Sequence, residues 1–212
     1  MRDHQATVFV VDDDEAVRDA VQGLIQSVGL AVETFGSANE FLRKYDPARP
    51  GCLVLDVRLP GMSGLALQEK LAADKIEIPI IFITGHGDVP MAVHAIKSGA
   101  LQFVQKPFRD QELLDHVAEA LALDRRSRQE RAERTAIERR IATLTPRERD
   151  VLQLVVDGHI NKEIAAKLGI HERTVETHRA HIMDKMDAQT VVELVRMALV
   201  AAGHPVNPQP PT

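Results

Sequence analysis

Residues 52–56 read Cys52-Leu53-Val54-Leu55-Asp56, four apolar side chains closed by a carboxylate. A short apolar run without polar alternation suits a strand covered on both faces, as in a parallel α/β sheet. Four runs of the same kind occur in the first half of the chain: Thr7–Val11, Ala31–Phe35, Ile80–Ile83 and Leu101–Val104. Amphipathic stretches separate them. Ala16, Val17, Ala20, Val21, Leu24, Ile25 and Val28 recur at helical spacing, and Gly29 ends that run. Ser37 followed by Glu40 is a capping-box pattern that opens a second helix. Asp14 and Glu15 read as helix N-terminal charges favoured by the dipole. Strands alternating with helices in this way predict a five-stranded parallel sheet, doubly wound.

Polar residues interrupt the apolar strands at telling places. Asp12 and Asp13 follow the first strand, Asp56 the third, Thr84 the fourth and Lys106 the fifth. In an open parallel sheet all of these fall at the carboxyl edge, where such folds bind ligands. Crowded carboxylates repel one another unless a cation joins them. Mg2+ suits, because it takes oxygen ligands, keeps waters and bridges to phosphate. One carboxylate is then a nucleophile for a phosphoryl group. Lys106 supplies a point charge and Thr84 a hydroxyl donor, and transfer needs little beyond positioning and charge neutralisation.

The second half differs in kind. From Glu112 a helical pattern runs to about Ala142, and from Asp124 to Arg140 it is dense in Arg and Glu. That composition predicts a charged linker helix over 123–140 between a domain at 1–122 and another at 141–204. Pairing of the linker with its twin in a dimer is a second reading. Thr145-Pro146-Arg147-Glu148 combines a capping box with proline at the first helical position. Asn161 reads as the cap of a helix over Lys162–Leu168, Gly169 ends it, and a longer helix follows from Glu172 to Lys185. This two-helix unit over 161–185 has helix-turn-helix form. Thr190 opens a last helix to Ala202, and the Pro-rich segment 205–212 is expected to be disordered.

Charge divides along the same line. Residues 1–122 carry 11 Lys/Arg against 18 Asp/Glu, a net of −7, and residues 123–212 carry 15 against 13, a net of +2, which makes the chain's −5. Two domains with different partners follow. No apolar run approaches the roughly 20 residues that span a bilayer, so no membrane partner is expected. The single cysteine, Cys52, cannot form an internal disulfide and reads as core. With no signal-peptide pattern at the start, a cytoplasmic location is the natural expectation.

The pieces Val11-Asp12-Asp13, Leu55-Asp56-Val57-Arg58-Leu59-Pro60-Gly61-Met62-Ser63-Gly64, Thr84-Gly85-His86-Gly87 and Lys106-Pro107-Phe108 resemble, in order and spacing, the receiver domain of bacterial response regulators. Leu144-Thr145-Pro146-Arg147-Glu148, Asn161-Lys162-Glu163-Ile164-Ala165, Thr174-Val175-Glu176-Thr177-His178 and Lys185-Met186 resemble the LuxR-type four-helix DNA-binding domain. Receiver plus this domain is the NarL/FixJ arrangement, and Gly85 to Val93 with Leu194 to Leu199 is similar to the FixJ-type branch. The resemblance implies strand order 2-1-3-4-5. It implies Asp56 as phosphoacceptor, Asp13, Asp56 and the Arg58 carbonyl as direct Mg2+ ligands, and Asp12 acting through water. Thr84 and Phe103 would form the switch pair, and Lys106-Pro107 a cis peptide.

It further implies that the second helix of the unit enters the major groove. Glu176, Thr177, Ala180 and His181 are the base-facing candidates, and Lys162, Thr174, Arg179 and Lys185 the phosphate candidates. His178 and His181 lack further ligands for a metal. His171 departs from the branch, which carries a small hydroxyl cap there. The implied partners are a cognate histidine kinase, promoter DNA, RNA polymerase and, on phosphorylation, a second copy of the chain. The dimer surfaces would be Met91–Ser98, Leu101–Gln105 and Gln111–Leu121, with Thr190–Ala202 in the second domain. A Mg2+-dependent phosphatase is the enzymatic rival, but its second acid, two residues after the nucleophile, is here Arg58. A regulator working through dimer contacts without phosphate is the third reading.

Overall fold

The computed structural model describes residues 6–85 and 89–203, so His86, Gly87 and the 205–212 segment lie outside the described residues. The chain forms two compact units, Met1–Arg128 and Gln129–Thr212. In the first, β1 (Thr7–Val11), α1 (Glu15–Ser27), β2 (Ala31–Phe35), α2 (Ala38–Lys44), β3 (Gly51–Asp56), α3 (Gly64–Ala73), β4 (Ile80–Thr84), α4 (Val89–Lys97) and β5 (Gln102–Gln105) alternate before α5 (Asp110–Ala142). The strands pair in parallel in the order β2-β1-β3-β4-β5.

Strand alternation sends successive side chains to opposite faces of the sheet. Phe9, Leu53, Leu55 and Phe82 pack with Phe41 of α2, Leu67 and Leu71 of α3 and Ala95 of α4. Val8, Val10, Cys52, Val54 and Ile83 pack with Val21 and Ile25 of α1 and with Leu113 and Val117 of α5. Both faces are therefore covered. Burial pushes the Cys52 thiol up to about 12, which keeps it protonated within this core. Two glycines mark close approaches: a Cβ on Gly51 would lie 2.0 Å from the Thr7 carbonyl oxygen, and one on Gly64 2.2 Å from that of Asp56.

The first unit extends beyond residue 122, where sequence reading ends it. Asp124 is 2% exposed. Its Oδ2 accepts from the Gly51 amide at 2.9 Å. Arg128 Nε donates to both Asp124 oxygens at 2.9 and 2.8 Å. Its Nη atoms donate to the carbonyls of Pro47, Ala48 and Arg49 at 3.1, 3.1 and 2.7 Å. This clamp binds α5 to the loop before β3. The pattern of alternating charge gave no sign that one of those acids is buried.

The second unit contains the end of α5 and α6 (Pro146–Val156), α7 (Asn161–Leu168), α8 (Glu172–Met186) and α9 (Val191–Ala201). Its core joins Ile137 of α5, Val151, Leu152 and Val155 of α6, Ile164 of α7, Val175, Ile182 and Met186 of α8, and Leu194 and Met197 of α9. Arg140 Nη1 donates to the Met186 carbonyl and its Nη2 to Asp187 Oδ2, each at 3.0 Å, closing the end of α8. Thr145 and Glu148 form both bonds of their capping box. Asn161 does not cap α7; Ile160 holds the N-cap position and its amide donates to Glu163 Oε2 at 3.2 Å. The Glu163 carboxylate reaches back to the first orphan donor, which leaves the Asn161 side chain for another element. His171 caps α8 with no side-chain bond, as its lack of a hydroxyl suggests. Residues 129–136 of α5 are exposed throughout, with Ala132 and Ala136 their only apolar side chains.

Replacing Arg128 by Ala leaves Asp124 as a buried charge without its cation. The first unit should lose about 1–3 kcal/mol, and the amides of Gly51 and residues 123–128 should exchange faster with deuterium. Unchanged protection at Gly51 would show that the clamp contributes nothing.

Candidate functional site

At the carboxyl edge of the sheet β1, β3, β4 and β5 end side by side. Asp12 is buried, Asp13 exposed, and Asp56, the last residue of β3, is 6% exposed. One carboxylate oxygen from each of the three lies within 4.8 Å of the others. Lys106, just past β5, points its Nζ at Asp12 Oδ2 at 2.6 Å and Asp56 Oδ1 at 3.3 Å. Asp56 Oδ2 accepts from the Arg58 amide at 3.0 Å, and Asp12 Oδ1 from the Asp14 amide at 3.0 Å. Thr84 is buried at the end of β4, and its carbonyl accepts from the Lys106 amide at 2.7 Å. The Lys106–Pro107 peptide is cis.

Burial pushes the Asp56 carboxyl above the ordinary carboxylate range; the Lys106 ammonium opposes that push and the Asp12 charge adds to it. One ammonium cannot balance three carboxylates. The donor set is all oxygen, with one carboxylate open to water, and it suits a hard divalent cation such as Mg2+. Such an ion would be held by Asp12, Asp13 and Asp56. It is the Arg58 amide that meets Asp56; a role for its carbonyl rests on the family resemblance.

Phe103 pairs in register with Phe82 and Thr84 with Gln105, so Thr84 and Phe103 share one face of adjacent strands. The Phe103 ring is partly buried, 6.3 Å from that of Phe82. Arg18 and Gln68 escape sequence reading in this region, and Gly64 is read there only as part of the receiver motif. Arg18 of α1 donates through Nη1 to the carbonyls of Asp12 and Asp13. Gly64 admits the Asp56 carbonyl. Gln68 of α3 is buried and donates to the carbonyls of Ala95 and Ser98 at 3.1 Å each, tying α3 to the end of α4. A polar residue at a core position of α3 was the available signal for Gln68; Arg18 left none.

In the second unit α7 and α8 meet around Gly169, which takes the left-handed φ of 64° that ends α7. Thr174, Glu176, Thr177, Ala180 and His181 are exposed on α8 while Val175 and Ile182 are buried, so the base-facing candidates share an open surface. Lys162 is exposed at the start of α7. Two phosphate candidates are engaged within the protein. Arg179 Nη1 donates to Asn161 Oδ1 at 2.7 Å, which is the use Asn161 finds in place of capping. Lys185 Nζ donates to Glu148 Oε2 at 2.7 Å and Oε1 at 3.0 Å. The Lys185 hydrogen bond and the Thr145 amide hold the Glu148 carboxyl down at about 2. Lys185, a phosphate candidate from its sequence, is here the counter-ion of a buried acid. His181 Nδ1 lies 3.9 Å from the same carboxylate. Among the described residues only Asp12, Asp13 and Asp56 gather three candidate metal ligands.

Comparison with known proteins agrees with this division. Residues 8–118 match the response regulator receiver domain, and residues 142–198 match the bacterial regulatory proteins of the luxR family. The chain is 51% identical over 194 residues to nodulation protein W of Bradyrhizobium diazoefficiens, covering 92% of this chain and 86% of that protein. It is 46% identical over 205 residues to the transcriptional regulatory protein FixJ of Azorhizobium caulinodans, covering 97% of each. Among solved structures it resembles the response regulator StyR, with a TM-score of 0.82, 48% identity and coverage of 92% of this chain and 98% of that one.

The Glu148–Lys185 pair gives the second unit a definite acid limit. Its carboxyl is depressed in the folded state, so its contribution is complete above the unfolded value of 4.5 and is lost as pH falls toward about 2. Lys185→Ala should cost about 1–3 kcal/mol by stranding the buried charge. Chemical denaturation of that variant at neutral pH and below pH 4 should show the gap narrowing with acid. A gap independent of pH would mean the pair is not what the lysine contributes.

Proposed function

Because the chain belongs to the NarL/FixJ family of response regulators, and so is a phosphorylation-dependent regulator of transcription, we propose that Asp56 is its phosphoacceptor and α8 its DNA-reading helix. The observation that carries the first part is the convergence of Asp12, Asp13 and Lys106 on the Asp56 carboxylate. A partner histidine kinase presents a phosphohistidine; an Asp56 oxygen forms the new O–P bond as the N–P bond breaks and the imidazole leaves. Mg2+, when held at this carboxylate cluster, would supply charge neutralisation for the phosphoryl oxygens. Asp13, Asp56 and the Arg58 carbonyl would hold it, with Asp12 acting through water. Lys106 exchanges part of its contact with Asp12 for a phosphoryl oxygen. Water then removes the group, at most slowly.

Thr84 donates its hydroxyl to the phosphoryl group, and the Phe103 ring follows by turning inward on the same sheet face. The surface that responds is α4 with β5 and α5. Val89, Val93 and Ile96 recur at helical spacing on α4 and are 76%, 45% and 45% exposed. A stripe of that kind supports a dimer interface. Two DNA-binding units joined in this way gain affinity through effective concentration. On DNA, Glu176, Thr177, Ala180 and His181 face base edges while Lys162 and Thr174 meet phosphates, with Arg179 oriented by Asn161. RNA polymerase is the further partner at the promoter.

Treatment with acetyl phosphate and Mg2+ should add one hydroxylamine-sensitive phosphoryl group to the full chain and none to Asp56→Asn. An adduct retained by the variant places the acceptor elsewhere. Beryllofluoride with Mg2+ should shift the wild-type chain from monomer to dimer in sedimentation, and Val93→Asp should keep it monomeric. A variant that still dimerises removes α4 from the interface.

A further inference from the structure

Arg18 occupies the second turn of α1, and its Nη1 donates to two consecutive main-chain carbonyls, Asp12 at 2.9 Å and Asp13 at 3.0 Å. In an extended strand successive carbonyls, like successive side chains, point to opposite sides. One guanidinium nitrogen can meet both only where the chain turns. β1 ends at Val11, and the same turn gathers the adjacent carboxylates of Asp12 and Asp13 into one cluster with Asp56. The repulsion between these carboxylates favours any backbone that splays them apart. Asp13, being exposed, has no packing to resist that.

We propose that Arg18 is a positioning residue for the cation site: its guanidinium holds the turn at Asp12–Asp13 in the form that makes both carboxylates face Asp56. The inference rests on the Mg2+ reading above. A simpler role is that of a fixed positive charge beside an acidic cluster, and the two roles differ in sign. Loss of a nearby positive charge strengthens binding of a cation at the carboxylates, whereas loss of the turn weakens it. Lysine keeps the charge but not the planar fork of donors, so it should only partly replace arginine.

The test is calorimetric titration of the full chain with Mg2+ alone, for wild type, Arg18→Met, Arg18→Lys and Asp13→Asn, with thermal unfolding of each in the absence of metal. Arg18→Met should bind Mg2+ about tenfold more weakly or worse, as when outer-shell partners of metal ligands are removed. Arg18→Lys should fall between it and wild type, and Asp13→Asn should bind weakest. Equal or tighter binding by Arg18→Met overturns the proposal, and a lowered unfolding temperature with unchanged affinity assigns Arg18 to stability alone. Failure of the wild-type chain itself to take up Mg2+ would instead overturn the cation site, and the role of Arg18 with it.

Discussion

Three negative charges meet at the edge of the sheet, and they do so because the strand residues that lead up to them are apolar and buried. Val10, Val11, Val54 and Leu55 are each fully buried, so the chain can place Asp12 and Asp56 only where the strands stop. Lys106 arrives from the fifth strand to relieve part of the repulsion. The same repulsion makes the site respond to what binds there: a cation or a phosphoryl group changes a charge balance that the fold has left incomplete. Thr84 ends the intervening strand and lies in reach of that change, with the Phe103 ring on the neighbouring strand.

The second unit solves a different problem with a single carboxylate. Glu148 closes the capping box that starts α6 and also binds Lys185 near the end of α8. One buried acid thus fixes the angle between the helix that supports the unit and the helix proposed to read DNA. Arg140 closes the same end of α8 from another direction. The exposed residues of α8 are left without structural duties of that weight, which is the condition for using them on a partner.

The strands, the carboxylate edge and the helix-turn-helix were legible in the sequence because each is written in local order: an apolar run, the polar residue that ends it, a glycine between two helical patterns. The pairing of Lys185 with Glu148 joins residues 37 positions apart, and no local periodicity carries it. Asn161 looked like a cap because its type favours one, yet Glu163 supplies the acceptor and Asn161 turns to Arg179. Asp124 sits in a stretch whose charges read as solvated, and its burial follows from the Gly51 amide brought to it by the sheet. Arg18 was passed over for the same reason, since its acceptors are carbonyls and carbonyls have no signature in a sequence.

The Asp124–Arg128 clamp has a consequence for anyone who cuts or splices this chain. A fragment ended at residue 122 would look complete by its strands and helices, but it would strip the acceptor from the buried Gly51 amide and the donors from the carbonyls of Pro47, Ala48 and Arg49. Gly51 begins the strand that Asp56 ends. The scar of such a cut would therefore lie at the root of the acceptor strand. A chimaera that grafts this front half onto a foreign output module should take its junction after Arg128, within the solvent-exposed turns of α5.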